Sequence, residues 1–198
     1  MFQERIDEIK AITSKDFVTL TQDPEVIICD DFLSPLDITY LLDETKKLTE
    51  SISEESFDTY RLSPYRHDFI KVIAHQISQA VDKPLENLYY INLYNIKQNQ
   101  QFYLSGFELP KIQESTIAMS PNGKIEAIGI LALSNASLSV ASVPIPGKPG
   151  TLILAKTVDV DPKTCNNSIL GSSTSDEDVW FCTFMFTEHP REINEVIL

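Results

Sequence analysis

Histidine and cysteine are scarce in this sequence of 198 residues, which holds three of each. Cys29, Cys165 and Cys182 form no CxxC pair and no closely spaced even set, so the sequence indicates neither a zinc finger nor a disulfide scaffold. It favours a reducing compartment instead. The longest apolar runs, such as residues 128–133, are far shorter than the roughly 20 residues that a membrane-spanning helix needs.

Basic residues are also few, since 16 Lys and Arg stand against 29 Asp and Glu and leave a formal net charge of −13. Such a charge repels phosphate backbones and anionic lipid, and the basic residues are single and scattered. We therefore expect neither a nucleic-acid partner nor a membrane partner. Residues 1–20 carry acids and lack the apolar stretch of a signal peptide, so we expect a cytoplasmic location.

Catalytic and nucleotide-binding motifs are missing as well. The sequence contains no GxSxG, no GxxxxGK[ST] and no GxGxxG, which removes the hydrolase and nucleotide-binding classes that such motifs identify. The acidic stretches Asp159-Val160-Asp161 and Asp176-Glu177-Asp178 lack the Gly and Glu positions of a helix–loop–helix calcium site, and they are typical of solvated turns.

Helices are predicted in the N-terminal half of the chain. Residues 1–15 hold a short amphipathic helix that packs on its own domain. A second helix begins at Pro35 and is capped by Ser34, because Ser is a preferred N-cap and Pro fits the first helical position. Ser63 and the following proline repeat this signal and predict a helix over residues 64–80.

From residue 88 onward, short segments rich in Val, Ile, Leu, Thr and aromatic residues predict strands. Residues 51–58, 144–150 and 171–173 are interpreted as a loop and turns. We predict a mainly β, α+β fold over residues 1–198 as one domain, a sandwich or jelly roll whose sheet is buttressed by two helices of the N-terminal half. The strands are predicted at residues 16–20, 25–29, 88–94, 101–107, 112–119, 124–133, 137–143, 151–156 and 179–187.

Four stretches give this layout a family resemblance. They are residues 26–42 (VIICDDFLSPLDITYLL), residues 67–103 with a strand ending in Tyr94 and a Gln-rich approach to the next strand, residues 143–154 (VPIPGKPGTLIL) and residues 179–186 (VWFCTFMF). Together they resemble the prolyl 4-hydroxylase-like branch of the Fe(II)/2-oxoglutarate-dependent oxygenases, whose fold is a double-stranded β-helix. The resemblance implies that jelly-roll fold here.

The resemblance also implies where iron ligands should stand, namely two histidines and one carboxylate on one face of Fe(II). The His-x-Asp pair should fall on residues 102–107, which read FYLSGF, so that Tyr103 and Ser105 occupy degenerate ligand positions. The distal histidine is matched best by Asn166 or Asn167, and neither amide replaces a neutral imidazole on iron. The resemblance therefore predicts no metal site in this chain.

The anchor for the co-substrate is absent too. The family holds 2-oxoglutarate through a basic residue on the closing strand, yet this sequence has no Lys or Arg between Lys163 and Arg191. We therefore expect no catalytic residue and no cofactor, and a pseudoenzyme that serves as a structural or protein-interaction module. Oxygenase-like proteins occur in tailed bacteriophages, which implies a component of a virion or of its assembly. Its location would then be the virion, assembled in the cytoplasm.

Two other functions stay open. An active Fe(II) oxygenase with atypical ligands would have to bring together His67, Glu108 and His189, while His75 lies on the polar face of its helix. A jelly roll that binds a sugar or another small ligand would depend on aromatic residues that are more often part of a core. These aromatic residues are Tyr89, Tyr90, Tyr94, Phe102 and Tyr103.

The C-terminal residues 188–198 end in an apolar group formed by Ile193, Val196, Ile197 and Leu198. A solvated tail would not need these side chains. The tail either docks on its own domain or inserts into a protein partner or a second copy as an added strand or helix. These four residues are the candidates for partner binding.

Overall fold

A computed structural model of the chain describes residues 2–13, 16–22, 25–47, 51–65, 67–105, 125–140, 143–156, 168–172 and 175–190. Its helices are α1 (Phe2–Ala11), α2 (Pro35–Lys46) and α3 (Asp68–Ala80), followed by a short 3-10 helix (Leu85–Asn87). The described strands are β1 (Val18–Gln22), β2 (Glu25–Cys29), β3 (Ser51–Ser53), β4 (Phe57–Leu62), β5 (Leu88–Ile96), β6 (Phe102–Ser105), β7 (Ile125–Ala132), β8 (Ala136–Val140), β9 (Val143–Gly147), β10 (Leu152–Lys156), β11 (Ser168–Ser172) and β12 (Val179–Thr187).

The strands form two antiparallel sheets. The main sheet has eight strands in the order β1-β2-β10-β7-β12-β5-β4-β3, and the second sheet has four in the order β6-β11-β8-β9. From β5 onward the chain passes repeatedly between the sheets, because β5, β7, β10 and β12 lie in the first and β6, β8, β9 and β11 in the second. This exchange is that of a jelly roll, and it confirms the predicted fold class.

An apolar cluster covers each face of the main sheet. On one face, Phe184 of β12 packs with Ile73 of α3 and Leu41 of α2. On the other, Phe181 of β12 packs with Leu138 of β8 in the second sheet. We call the first the outer face and the second the inner face. Within the described ranges, none of the helices is long and apolar enough to cross a membrane.

Strand β12 lies in the middle of this arrangement, and both of its faces are buried. Its side chains are buried from Phe181 to Thr187, which explains the continuous apolar run in this part of the sequence. Burial raises the pKa of the Cys182 thiol. Burial, together with a smaller effect from nearby acids, raises the pKa of the Cys29 thiol to about 11. Both cysteines are therefore buried, unreactive side chains, as their places in predicted strands indicated.

The start of α2 also holds α1 in place. Ser34 and Asp37 form a capping box, and Arg5 of α1 donates hydrogen bonds to the Ser34 hydroxyl at 2.8 Å and the Asp37 carboxylate at 2.9 Å. Ile9 of α1 is buried in the cluster on the outer face. The prediction that the N-terminal helix packs on its own domain is thus confirmed.

Two predictions between residues 51 and 67 are wrong. Residues 51–53 form β3 and residues 57–58 begin β4, where a loop was predicted. The prediction failed because the side chains of the edge strand β3 are exposed and those that begin β4 are half-buried, so the segment shows no apolar alternation. The helix predicted from Ser63 begins instead at Asp68. The Ser63 hydroxyl accepts the backbone N–H of Tyr65 in a turn, so it cannot serve as the helix cap.

Two segments interpreted as turns are strands of the second sheet. Strand β9 contains Pro144 and Pro146, which is compatible with a strand because β9 lies at the edge of its sheet and pairs only with β8 among the described strands. Strand β11 contains Gly171, which lies opposite Tyr103 of β6. In both cases the turn residues misled the sequence interpretation.

A tight approach of backbone to backbone fixes the turn before β10. Gly150 has a φ of +87°, and a Cβ added there would lie 2.2 Å from the carbonyl oxygen of Leu33. The Leu33 N–H donates to the Gly150 carbonyl at 3.1 Å, and the Thr151 hydroxyl donates to Asp30 at 2.9 Å. Glycine is therefore required at position 150.

Candidate functional site

The two strands that the resemblance links to iron binding are neighbours in the second sheet. Strand β6 pairs with β11 in a register that places Tyr103 opposite Gly171 and Ser105 opposite Ser168. Asn166 and Asn167 precede β11 but lie outside the described residues. The backbone therefore brings β6 beside β11, while the assignment of Tyr103, Ser105 and Asn166 as degenerate ligand positions stays a prediction.

The inner face of the main sheet lies opposite these strands and is lined by apolar side chains. All members of this cluster are at least nine-tenths buried. They come from both sheets, so the space between the sheets is packed core where these residues lie. The cluster consists of Val26, Tyr94, Ile96, Ile128, Ile130, Ala132, Leu138, Ile145, Ile153, Ala155, Val179, Phe181 and Met185.

The closing strand β12 contributes no cation to the inner face. Its side chains alternate between the two faces, so that Val179, Phe181, Thr183 and Met185 point inward, and all four are buried. The ring of Phe181 stacks on Tyr94 with centroids 5.3 Å apart and planes 26° apart. Aromatic packing thus occupies the middle of this strand.

Three buried residues beside this stack are joined by hydrogen bonds. The Asn92 side-chain amide donates to the Tyr94 hydroxyl at 3.1 Å, and the Thr183 hydroxyl donates to the backbone carbonyl of Asn92 at 3.5 Å. A side-chain hydrogen bond also joins Tyr94 and Thr183. Burial raises the pKa of the Tyr94 hydroxyl to about 12, so this network is neutral at physiological pH.

Strand β4 extends the inner face with two polar residues that the sequence analysis missed. Thr59 lies opposite Tyr94 and Arg61 lies opposite Asn92, and paired residues project to the same side of a sheet. The Thr59 hydroxyl is buried without a hydrogen-bond partner among the described residues. Arg61 is half-buried. Its positive charge lowers the pKa of Tyr94, and this effect is smaller than the increase caused by burial. The polar residues Thr59 and Arg61 alternate along this segment, and that alternation is the sequence signal that could have identified them as residues of one strand face.

The histidines lie away from the inner face. His67 is the N-cap residue of α3; its Nε2 lies 3.2 Å from Glu44 of α2, and its ring packs on Tyr40. The ammonium of Lys47, with a smaller effect from His67, lowers the pKa of Glu44. His75 is exposed on α3, which confirms the prediction from its helix.

The third histidine, His189, is also exposed, beyond the end of β12. His67 and His189 therefore do not meet in the described structure, and Glu108 lies outside it. Fe(II) needs imidazole and carboxylate donors, whereas the polar groups found on the inner face are hydroxyl, amide, phenol and guanidinium. In the part of the chain that the structure describes, no three His, Cys, Asp or Glu side chains are grouped to hold a metal ion. The described inner face thus does not fit Fe(II).

Other candidates from the sequence are placed only in part. Tyr94 is a core residue, and Tyr89 packs partly buried against the same cluster. The side chains of the remaining aromatic candidates, Tyr90, Phe102 and Tyr103, are outside what the structure describes. Residues 176–178 are exposed, as a solvated turn should be, whereas residues 159–161 lie outside the described ranges.

The predicted partner-binding residues also lie outside the described ranges, which end at Pro190. Just before this point, the Asn87 amide donates hydrogen bonds to the carbonyl oxygens of Thr187 at 2.8 Å and Glu188 at 3.0 Å. These bonds fix where the chain leaves β12. The role of Ile193, Val196, Ile197 and Leu198 stays a prediction.

Solved structures with this fold are prolyl hydroxylase-like, 2-oxoglutarate-dependent iron oxygenases. The fold implied by the sequence resemblance is thereby confirmed, and the chain has the jelly roll of that class. No protein-family profile matches the chain, and no curated protein is similar to it in sequence. The likeness is therefore one of structure.

Three of these structures show how far the structural likeness extends along the chain. The viral collagen prolyl hydroxylase of Paramecium bursaria Chlorella virus-1, in complex with 2-oxoglutarate, is 13% identical at a TM-score of 0.58, over 82% of this chain and 94% of that chain. HygX from Streptomyces hygroscopicus, with nickel and 2-oxoglutarate bound, is 11% identical at a TM-score of 0.56, over 89% of this chain and 87% of that chain. A Pseudomonas putida prolyl-4-hydroxylase is 8% identical at a TM-score of 0.50, over 97% of this chain and 100% of that chain. Identities this low establish the fold alone.

Proposed function

We propose that this chain is a non-catalytic domain of the oxygenase fold that acts as a structural or protein-interaction module. The inner face of β12 carries the proposal. The resemblance calls for a basic residue on this strand to hold 2-oxoglutarate, and the inward positions are Val179, Phe181, Thr183 and Met185. A carboxylate buried against them would lose its hydration without gaining a cation from the closing strand, at a cost of roughly several kcal/mol.

The polar groups of the inner face support the same conclusion. The Asn92 amide and the Tyr94 and Thr183 hydroxyls already form hydrogen bonds within this group of residues, one of them to the Asn92 backbone carbonyl, so they stabilise the core. A ligand would have to replace these bonds, and an unsatisfied buried group costs about 1–3 kcal/mol. Only Arg61 offers a positive charge among the inward side chains of β4, β5 and β12 that the structure describes, and it is on β4.

The histidine positions weigh against the alternative, an active oxygenase with atypical ligands. His67 is held between α2 and α3 on the outer face by Glu44 and Tyr40. A ligand set built from His67, Glu108 and His189 would require this contact to break. No observation on the described residues favours that rearrangement.

A domain that keeps this fold without its chemistry would act through its surface. The net charge of −13 favours a soluble partner without strong negative charge. The role we propose is that of a bacteriophage virion or assembly component, formed in the cytoplasm. Its apolar tail residues would insert into a partner protein or a second copy.

An anaerobic titration with Fe(II) and 2-oxoglutarate tests the proposal. We expect no metal-to-ligand charge-transfer band, with the viral collagen prolyl hydroxylase as a positive control. Arg61→Gln is the matched variant. A band in the native chain would overturn the proposal, and its loss in Arg61→Gln would place the bound anion at β4.

A truncation that removes residues 190–198 tests the role of the tail. We expect the shortened chain to keep its thermal unfolding curve and lose self-association in sedimentation experiments. Leu36→Ser is the control, since Leu36 is an apolar side chain of α2 that is 64% exposed. A truncated chain that associates as the full chain does would show that the tail is not the contact.

A further inference from the structure

An open groove lies beside the point where the chain leaves β12. It has a volume of about 540 Å³. Residues 82–84, 86 and 87, which follow α3, form one part of its lining, and Glu188 and Pro190, which follow β12, form the other. Grooves of this volume are in the range that holds a small ligand or a bound side chain. The groove is therefore large enough to receive a segment of chain.

Three acidic side chains line this groove, namely Asp82, Glu86 and Glu188. Asp82 and Glu86 are exposed, and neither forms an ion pair within the described ranges. Lys83 is the one cation among the described lining residues, and its ammonium pairs with Glu126, which does not line the groove. The lining is thus negative, and it favours a positively charged side chain.

Hydrogen bonds fix the chain along one wall of the groove up to residue 189. Besides the two bonds from the Asn87 amide to the carbonyls of Thr187 and Glu188, the Thr187 hydroxyl donates to the His189 carbonyl at 3.0 Å. The His189 Nε2 lies 4.0 Å from a carboxylate oxygen of Glu188, which is the limit of an ion pair. Since residue 190 also lines the groove, residues 191–198, which we call the tail, begin at its rim.

The first residue of the tail carries the charge that the groove favours. Arg191 is the one Lys or Arg in the sequence after Lys163. It follows Pro190, and proline is favoured at the second position of a turn, where the chain can reverse toward the groove. A tail attached at the rim has an effective concentration on the order of 1 mM, about a thousandfold above that of a second copy at about 1 μM. The attachment therefore favours the chain's own tail over the tail of a second copy.

We propose that this groove binds the chain's own tail, with Arg191 placed among the three acidic side chains. The inference rests on the proposed role of the tail in partner binding, and it adds a control on that contact. A docked tail keeps its apolar side chains on the domain, so a partner has to displace Arg191 before it can bind them. The groove thus holds back association until the tail is released.

Charge reversals in the full-length chain test this contact. Hydrogen exchange at the backbone amides of residues 193–198 reports docking, because a docked segment exchanges more slowly than a free one. Arg191→Glu should speed this exchange about tenfold, and so should Glu86→Arg, since each turns an attraction into a repulsion. The double variant should exchange more slowly than either single variant. The control is Glu55→Arg, which alters an exposed acid between β3 and β4 and should exchange as the native chain does.

An equal mixture of the two single variants separates the chain's own tail from that of a second copy. Between copies, each variant's groove would accept the other's tail, so slow exchange in the mixture would overturn the proposal and make a second copy the occupant. Equal exchange in the native chain and Arg191→Glu, or a double variant no slower than the single variants, would also overturn it.

Failure here is distinguishable from failure of the proposed function, because the exchange measurements need no partner, Fe(II) or 2-oxoglutarate. A docked tail whose truncation leaves association unchanged would refute the role of the tail in partner binding and keep the groove contact. Exchange that ignores the charge reversals, together with association lost on truncation, would refute the groove contact alone.

Discussion

Replacement of Phe181 by alanine measures whether the inner face is packed core. The Phe181 side chain is fully buried and stacks on Tyr94, with ring centroids 5.3 Å apart. Removing a buried phenylalanine ring costs about 3–5 kcal/mol, and this figure includes the cavity that is left. Since domains unfold with about 5–15 kcal/mol in total, Phe181→Ala should remove a large part of the stability.

Urea unfolding followed by tryptophan fluorescence measures this loss, because Trp180 is the chain's single tryptophan and stacks on Tyr60 beside the altered site. Phe181→Leu keeps most of the apolar volume and should cost about 1 kcal/mol. Leu36→Ala, on an exposed surface, should change stability by less than about 0.5 kcal/mol. If Phe181→Ala costs no more than Leu36→Ala, the ring borders open space and the inner face is not a packed core.

Three further predictions concern stability. Gly150→Ala should lower the free energy of unfolding by about 2 kcal/mol or more, because the added Cβ meets the Leu33 carbonyl and φ at this position is positive. Thermal unfolding measures this loss, and an unchanged unfolding curve would contradict the turn geometry. Arg5→Leu should lower the free energy of unfolding by about 1–3 kcal/mol, since it leaves the buried Asp37 carboxylate without its cation. A double-mutant cycle with Asp37→Asn should show that the two residues are coupled, and additive effects of the two substitutions would contradict this ion pair. Tyr94 holds its proton up to a pKa of about 12, against about 10 when unfolded, so stability should be unaffected below pH 10 and fall by roughly 2 kcal/mol as pH rises to 12. Comparison of native chain with Tyr94→Phe in alkaline urea titrations checks this, and identical pH profiles would contradict it.

Local signals carried much of the fold prediction. The cap at Ser34 and the proline that follows it correctly placed the start of α2, because an N-cap depends on residues within one turn. The same signal at Ser63 failed, since its hydroxyl serves a turn. Strand β9 was missed because proline is tolerated at a sheet edge, and edge position is a tertiary property.

The candidate site depended on contacts that no local pattern specifies. The family resemblance predicted a closing strand without a cation, and the structure has the same strand buried on both faces. The hydrogen bond from Thr183 to Asn92 spans 91 residues, so pairing of β12 with β5 had to be known first. Arg61 was overlooked because the segment before it was interpreted as a loop, and only the register with Asn92 brings it to the inner face.

Consumption of 2-oxoglutarate under aerobic conditions with added Fe(II) tests the central claim most directly. We expect the full-length chain to consume no more 2-oxoglutarate than Fe(II) alone in matched buffer, while the viral collagen prolyl hydroxylase serves as the positive control. Consumption above that background that scales with the concentration of the chain would contradict the account and show that the fold has kept its chemistry.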